Sequence, residues 1–331
     1  MARLFRNSQP TLIATLLLAF FCLISCSSPE PEKADNDLIS ITMQTDWLAQ
    51  PEYAGFYQAK AAGIYEKYGL DVTIVEGGPN ADPMKRLILK RCDFVNARSD
   101  DVIVAFARGM PVQFVGVTLQ HNPLAILSHA ENPITEFGQL DGKRIMVNVA
   151  APWIDYLEGK YDIQVVRMPH NFGLSHYLND KEFVMQCFLT NEPYQVRKLG
   201  ADPIVLPMWK SGWDAYRGIV VHSDSLQDRP EVVEKFVNAT HEAWQSYLFG
   251  DPSPAHELIQ NRNPKMTDDF MDYIRIQLIK NHMVAMETAN SIGKFDPARL
   301  QEQIQILSDM KIIEKKFDYS EVFTIFASST P

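Results

Sequence analysis

LISITMQTDWLAQPEYAGFYQAKAAGIYEKYGLDVTIV, residues 38–75, is the stretch that decides the fold of this chain. Residues 38–46 alternate in polarity and are rich in β-branched side chains, which predicts a strand. Residues 53–68 carry apolar side chains at helical spacing, and Gly69 ends that pattern. Residues 70–75 predict a second strand. A strand, a helix and another strand in this order are typical of a parallel βαβ unit.

The same alternation of strands and helices continues along the chain. We predict further strands at 93–97, 112–118, 144–149, 164–168, 183–189, 204–208 and 218–222, and helices at 80–91, 99–108, 153–160, 173–180 and 193–199. From Pro230 onwards the pattern predicts helices only, at 230–249, 252–261, 267–281 and 296–309. This order predicts an α/β fold with two lobes around a ligand cleft and a helical C-terminal tail that packs on the first lobe.

The boundaries of the two lobes follow from where the alternation restarts. We expect lobe I to comprise residues 38–125 plus 218–331, and lobe II to comprise residues 126–217. Chain crossings near 124–128 and 215–222 would join the lobes and let lobe II move. Such a chain has about 300 residues after its N-terminal segment, more than one compact core usually holds.

The N-terminal segment has the pattern of an exported lipoprotein. Arg3 and Arg6 precede an apolar run at residues 11–22, which is too short to span a bilayer, and Leu23-Ile24-Ser25-Cys26 follows. We predict that residues 1–25 are a signal peptide, that Cys26 is lipidated, and that residues 26–37 are a flexible tether. A plain signal peptide with an incidental cysteine is the alternative. The lipoprotein would be anchored to a membrane in the periplasm or at the cell surface.

Composition narrows the classes of partner. The chain has 31 Lys and Arg against 41 Asp and Glu, which argues against nucleic acid as a partner. After Cys22 and Cys26, only Cys92 and Cys187 remain. We favour two separate buried thiols, with a disulfide as the alternative. No CxxC motif or His/Cys spacing suited to zinc occurs, so no metal or cofactor is predicted.

Candidate ligand-binding residues lie after strands and at the starts of helices, where a cleft ligand meets free backbone N–H groups. Trp47 offers a face for stacking a planar ring, and Trp153 is a candidate second wall. The Gly77-Gly78 pair permits close backbone approach. The full set of candidates is Asp46, Trp47, Gln50, Glu52, Tyr53, Gly77, Gly78, Arg98, Ser99, Asp100, Gln120, Trp153, His170, Asn171, Asn191, Glu192 and Tyr216.

Glu192 is the leading candidate, because it lies at a strand-to-helix junction within Thr190-Asn191-Glu192-Pro193-Tyr194. Its carboxylate could accept two N–H donors of an aminopyrimidine at once. Several candidates also have structural interpretations. Ser99, Asp100, Thr190 or Asn191 could cap a helix, Trp47 could be a core residue, and Glu52 could be an acid favoured at a helix N-terminus.

Several motifs together resemble the SsuA/THI5-like (NMT1-like) periplasmic binding proteins. They are Asp46-Trp47, the run QPEYAGFYQAK at 50–60, Gly63-Ile64-Tyr65, Gly69-Leu70-Asp71-Val72, Arg108-Gly109-Met110-Pro111, Leu140-Asp141-Gly142-Lys143 and Pro230-Glu231-Val232. The resemblance implies a type II periplasmic binding protein, which traps a small molecule and delivers it to the permease and ATPase of an ABC importer. The Asp-Trp opening is most similar to the branch that binds thiamine-precursor pyrimidines or riboflavin-like heterocycles, where His often replaces Tyr53.

The same family contains a cytosolic enzyme that synthesises the thiamine pyrimidine phosphate. It relies on a Cys-rich iron motif and on a Lys and a His, whereas this chain has GWDAYR at 212–217 and ARSDD at 97–101. His121, His170 and His176 are scattered, and no nucleophile–base–orienter set emerges. We therefore expect a monomeric binding protein with no catalytic residues.

Other functions stay open at this point. Proteins for nitrate, sulfonate or taurine-type anions, a THI5-like enzyme and a sensory module are the alternatives. The acceptors Asp46, Glu52, Asp100 and Glu192 outnumber the candidate cation Arg98, which disfavours anions.

Overall fold

A computed structural model describes residues 38–286, 288–324 and 326. They belong to one compact unit. The predicted signal peptide 1–25, the tether 26–37 and the lipidation site Cys26 lie outside the described residues. Within the described ranges, no helix combines the length and apolarity needed to cross a membrane.

The described residues contain two five-stranded sheets. The strands in chain order are β1 (Ile39–Gln44), β2 (Leu70–Val75), β3 (Phe94–Arg98), β4 (Val112–Leu119), β5 (Leu124–His129), β6 (Arg144–Val147), β7 (Val166–Pro169), β8 (Val184–Phe188), β9 (Pro203–Pro207) and β10 (Arg217–His222). The first sheet has the order β2-β1-β3-β10-β4, and the second has the order β7-β6-β8-β5-β9.

Each sheet contains one strand that runs against its neighbours. In the first sheet β10 is antiparallel to β3 and β4, whereas β1 pairs in parallel with β2 and β3. In the second sheet β5 is antiparallel to β8 and β9, whereas β6 pairs in parallel with β7 and β8. Each antiparallel strand is the first one that the chain forms after leaving the other sheet. The predicted α/β fold class is confirmed.

Helices cover the sheets and form the C-terminal tail. They are α1 (Ala54–Ala61), α2 (Ile64–Lys67), α3 (Pro83–Ile88), α4 (Ser99–Ala107), α5 (Pro152–Tyr161), α6 (Ser175–Asn179), α7 (Glu192–Lys198), α8 (Asp224–Asp228), α9 (Pro230–Phe249), α10 (Ser253–Arg262), α11 (Asp268–Lys280) and α12 (Pro297–Asp309). Helix α9 has the predicted bounds. Proline at its first position fixes a helical φ where no N–H donor is needed.

Three predictions about local structure were wrong. The expected crossing at 124–128 is strand β5, so the chain leaves the first sheet at 120–123. The expected helix 53–68 is interrupted at Gly63, whose φ of 69° is left-handed and separates α1 from α2. Ser99 and Asp100 do not cap α4, since the helix begins at Ser99 and the cap position is Arg98.

The tail packs on the first sheet through an aromatic stack. Phe236 of α9 stacks on Phe94 of β3 with ring centroids 4.0 Å apart, and on Tyr65 of α2 at 5.2 Å. Helix α11 also contacts α7, which follows β8 of the second sheet, because Phe270 stacks on Tyr194 at 4.6 Å. The tail therefore packs against elements on both sides of the cavity, not on the first side alone. Separately, Cys92 and Cys187 are free, buried thiols.

Phe236→Ala is expected to destabilise the protein by about 3–5 kcal/mol, because it opens a cavity in a fully buried stack. Phe249→Ala on the same helix is the matched control, since Phe249 is 55% exposed. The control should change the free energy of unfolding by less than about 0.5 kcal/mol. Urea denaturation measures both, and equal losses would contradict the packing described.

Candidate ligand-binding site

A cavity of about 220 Å³ lies between the two sheets, at the carboxyl-terminal ends of β1, β7 and β8. The first-sheet side contributes Asp46, Trp47, Gln50, Glu52, Tyr53 and Arg217, and the other side contributes Pro123, His170, Phe172, Gln186, Cys187, Phe188, Asn191 and Glu192. A wider hollow of about 640 Å³ adjoins it, shares Asp46, and is lined by residues of α3, α4 and the start of α5.

A buried ion pair forms the first-sheet wall. The guanidinium of Arg217, at the start of β10, donates to the Asp46 carboxylate and lies 3.3 Å from Asn96 Oδ1. Burial alone would lower the pKa of Arg217, but Asp46 raises it, so the group stays charged. The Tyr53 hydroxyl donates to the other Asp46 oxygen at 2.8 Å. Both Asp46 oxygens are therefore hydrogen-bonded.

Glu52 has one engaged oxygen and one free oxygen. It lies in the 3₁₀ turn Pro51–Tyr53 before α1 and is 7% exposed. Its Oε1 accepts from the Thr190 hydroxyl, which follows β8 in the second sheet. Its Oε2 is buried and has no hydrogen-bond partner among the described residues. Burial raises the pKa of Glu52, although Thr190 and Arg217 act to lower it.

Glu192 lines the same cavity, but its carboxylate accepts hydrogen bonds from residues of its own turn. Oε2 accepts from Phe188 N at 2.7 Å, and Oε1 accepts from Asn191 Nδ2 at 3.1 Å. Burial raises the pKa of Glu192 to about 7, and these hydrogen bonds partly oppose that rise. The two-oxygen contact predicted for an aminopyrimidine is thus taken up by backbone and side-chain donors of the protein.

Two aromatic rings face each other across the cavity. Trp47, from the first-sheet side, and Phe172, from the loop after β7, have ring centroids 6.4 Å apart and planes 28° apart. Phe172 is 75% exposed and has a φ of 59°, an unfavourable conformation for a bulky residue. His170 Nδ1 accepts from Phe172 N at 3.0 Å and so supports that loop.

His170, directly after β7, and Cys187 of β8 complete the second-sheet wall of the cavity. Burial lowers the pKa of His170, which favours the neutral ring, although a backbone hydrogen bond at Gln186 acts to raise it. Burial raises the pKa of the Cys187 thiol well above its usual range, so the sulfur stays protonated. These residues add weak donors and acceptors, not charge, to the cavity.

Five predicted candidates face the interior or the tail and do not line the cavity. Trp153, the expected second stacking wall, is 2% exposed because α5 turns it into the core. The Tyr216 hydroxyl accepts from Asp296 N, and the Ser99 hydroxyl donates to Gln303 of α12. Asp100 pairs with Arg98 and lines a small hollow beside α12. Gln120 Nε2 donates to Lys294 O at 2.6 Å.

Four other candidates also lie outside the cavity. Arg98 donates to both oxygens of the exposed Asp101, and the side chain of Asn171 accepts from Gly173 N. A Cβ on Gly77 would lie 2.4 Å from the backbone carbon of Asp46, so this glycine allows close packing behind the site loop. Gly78 follows it with a φ of 155°.

The sequence reasoning missed Arg217, Phe172, Pro123, Gln186, Cys187 and Phe188. Phe172 did have a signal, because a large apolar residue in the polar segment His170-Asn171-Phe172-Gly173 has no helical or strand pattern to explain it. Arg217 had none, since its partner Asp46 is 171 positions away. Across the described ranges, no group of three or more His, Cys, Asp or Glu side chains is arranged to hold a metal ion.

Glu192→Gln is expected to change the pH dependence of stability. The folded pKa of Glu192 lies above its ordinary value of 4.5, so the folded state binds this proton more tightly. That contribution is fully present below about pH 4.5 and is lost as the pH rises through about 7. Wild type should therefore lose stability relative to Glu192→Gln between pH 5 and pH 8 in urea denaturation. The exposed Glu257→Gln is the control, and a pH-independent difference for Glu192→Gln would contradict this.

Several known proteins are similar to this chain over most of its length. It is 24% identical to the riboflavin-binding protein RibY of Chloroflexus aurantiacus, over 68% of this chain and 70% of that protein. It is 20% identical to a formylaminopyrimidine-binding protein of Halalkalibacterium halodurans, over 94% and 97%. It is 21% identical to the 4-amino-5-hydroxymethyl-2-methylpyrimidine phosphate synthase of Legionella pneumophila, over 88% and 93%.

Solved structures share the fold. The periplasmic aliphatic sulphonate binding protein SsuA of Escherichia coli superposes with a TM-score of 0.63 at 12% identity, covering 86% of this chain and 91% of that one. The model of the NMT1/THI5-like family matches residues 50–255, which is more than half of the chain and spans both sheets. This chain therefore belongs to the NMT1/THI5-like family.

Proposed function

We propose that this chain is a solute-binding protein that captures a small planar nitrogen heterocycle, such as a thiamine-precursor pyrimidine, without converting it. The facing pair of Trp47 and Phe172 beside the carboxyl groups of the cavity carries the proposal. Aromatic walls contribute stacking, and buried acceptors contribute specificity for N–H donors. The riboflavin-binding and formylaminopyrimidine-binding relatives support the same ligand class.

The spacing of the rings suits a flat ligand between them. A planar ring in van der Waals contact with both walls needs about 7 Å from wall to wall, at about 3.5 Å per contact. The centroids of Trp47 and Phe172 are already 6.4 Å apart. A small outward movement of the exposed Phe172 loop would admit the ring. The cavity of about 220 Å³ can hold one aromatic ring, and the adjoining hollow can take a longer substituent or the further rings of a flavin.

The charges of the cavity argue against an anionic ligand. Arg217 is the one cation among the lining residues, and Asp46 already neutralises it. Glu52 and Glu192 add two more carboxyl groups. A sulfonate or nitrate would meet no unpaired cation in this wall, so a neutral or cationic heterocycle fits better.

We further propose that the protein is an exported lipoprotein that works with an ABC permease and ATPase. The N-terminal pattern ending at Cys26 supports the anchor, and the polar segment 26–37 would let the folded part reach its permease. Binding in this scheme involves relative movement of the two sheets about the connections at 120–123 and 208–216. We expect the protein to act as a monomer.

A pyrimidine synthase is the second candidate, because one relative has that name. Incubation of the purified protein with candidate substrates, followed by mass spectrometry of the products, separates the two. A bound heterocycle recovered unchanged supports the binding protein, and turnover would support the enzyme.

Binding should raise the melting temperature, because only the folded state binds the ligand. We expect a shift with 4-amino-5-hydroxymethyl-2-methylpyrimidine or riboflavin and none with nitrate, taurine or an alkanesulfonate. A shift with an anion alone would overturn the ligand class. Mass spectrometry of the molecule released on denaturation identifies the natural ligand.

Phe172→Ala is expected to weaken heterocycle binding by roughly fivefold to a hundredfold, from the loss of about 1–3 kcal/mol of stacking. It should leave the stability of the free protein nearly unchanged, because the ring is 75% exposed. Phe249→Ala, another exposed phenylalanine, should bind like wild type. Calorimetric titration measures the affinities, and an unaltered affinity of Phe172→Ala would remove this wall from the site.

Cys26→Ser is expected to abolish lipidation and leave the precursor uncut, since the thiol carries the lipid. Cys22→Ser is the matched control, because Cys22 would leave with the signal peptide. Mass spectrometry of the membrane-associated protein distinguishes the forms. Equal lipidation of both variants would contradict the assignment of Cys26.

A further inference from the structure

Glu52 has an oxygen that the protein leaves without a donor. The side chain is 7% exposed, and its Oε2 has no hydrogen-bond partner among residues 38–286, 288–324 and 326. A buried polar atom of this kind normally has a partner, since burying an acceptor without a hydrogen bond is costly. Glu52 is one of the residues that line the cavity, so a bound molecule can supply the missing donor.

The neighbouring donors are already used. The Arg217 guanidinium donates to Asp46 and Asn96, and the Tyr53 hydroxyl donates to Asp46. The Thr190 hydroxyl donates to the other oxygen of Glu52 and so holds the carboxyl group in one orientation. None of these side chains satisfies Oε2. Burial raises the pKa of Glu52, and the hydrogen bond from Thr190 and the charge of Arg217 act to lower it.

Glu192 differs from Glu52 in this respect. Its two oxygens accept from Phe188 N and Asn191 Nδ2, both of which belong to its own turn. Both glutamates lie at the cavity, but only Glu52 combines deep burial with an oxygen that lacks a donor. Of the two glutamates, Glu52 is therefore the one with an oxygen that the protein leaves entirely without a donor.

We propose that Glu52 is the specificity-determining residue of this cavity and that its Oε2 accepts an N–H of an amino group on the heterocycle. The inference rests on the proposed function and adds the chemistry that selects the ligand. An amino substituent fills the unmade hydrogen bond, whereas a methyl group of similar size leaves the carboxylate without a donor. Because Glu52 lies in the turn before α1 on the first-sheet side and Thr190 follows β8 of the second sheet, the contact also lies between the two sides of the cavity.

A cycle of protein and ligand variants tests this contact. The probes are 4-amino-5-hydroxymethyl-2-methylpyrimidine and its analogue with methyl in place of the amino group. Wild type should prefer the amino compound by roughly tenfold to a hundredfold, the range for a hydrogen bond to a charged group. Glu52→Gln should reduce the preference to near one, because the amide oxygen accepts from the Thr190 hydroxyl and leaves the NH2 group, a donor, facing the ligand. Calorimetric titration gives all four dissociation constants.

Two further variants separate this role from a structural one. Glu192→Gln and the exposed Glu257→Gln leave the hydrogen bond between Glu52 and Thr190 in place and should keep the preference for the amino compound. A purely structural Glu52 would change the melting temperature without changing the ratio of affinities. If Glu52→Gln does not fold, Glu52→Asp replaces it, since the shorter side chain withdraws the oxygen and should also lower the preference.

The outcomes distinguish the inference from the function on which it rests. If Glu52→Gln keeps the preference, or only Glu192→Gln loses it, the inference is wrong and heterocycle binding stands. If wild type binds both compounds equally, the amino group is not what Oε2 recognises. If wild type binds neither compound nor riboflavin, the proposed function fails, and the inference with it.

Discussion

The buried ion pair between Arg217 and Asp46 joins the parts of the chain that build the site. Asp46 follows β1, and Arg217 is the first residue of β10, where the chain returns from the second sheet. The same guanidinium also reaches Asn96 of β3 and the Tyr53 hydroxyl. Arg217 is the more deeply buried partner, so removing Asp46 would leave its guanidinium without the carboxylate that compensates its burial. The ion pair therefore constrains both the pairing of β10 with β3 and the position of the loop after β1 that carries Asp46.

Features that depend on local sequence could be predicted, whereas features that depend on long-range contacts such as this ion pair could not. Strand β2 and helix α9 have their predicted bounds, because alternation, helical periodicity and a proline at the helix start are local signals. Arg217 was not predicted, since an arginine within the second predicted crossing, 215–222, resembles any surface cation until the sheet places it beside Asp46. Trp153 was assigned to the cleft because its position after a strand suits a ligand wall, but the direction in which α5 faces is decided by tertiary packing.

The two glutamates of the cavity show the same limit of prediction from sequence more clearly. Glu52 and Glu192 both occupy the first turn of a helical segment, and sequence alone favoured the second. What separates them is the set of donors around each one. The Glu192 carboxylate accepts from the backbone N–H of Phe188, four residues earlier, and a local sequence pattern can in principle reveal such a contact. Glu52 shares a hydrogen bond with Thr190, 138 positions away, and that pairing exists only once both sheets are assembled.

The connections between the sheets bear on how the proposed ligand would be held. The chain crosses twice, and α11 adds a packed link through Phe270 and Tyr194. If the cavity closes by relative movement of the sheets, Phe270 and Tyr194 must either stay in contact or slide past each other. This contact would therefore restrict the movement near α11. The Trp47 and Phe172 rings belong to opposite sides, and the Phe172 loop is exposed. A heterocycle entering between these rings would therefore displace the exposed ring of Phe172, while its polar edge would meet the buried carboxyl group of Glu52. In the proposed function, stacking would then contribute affinity, and the buried acceptor would contribute selectivity.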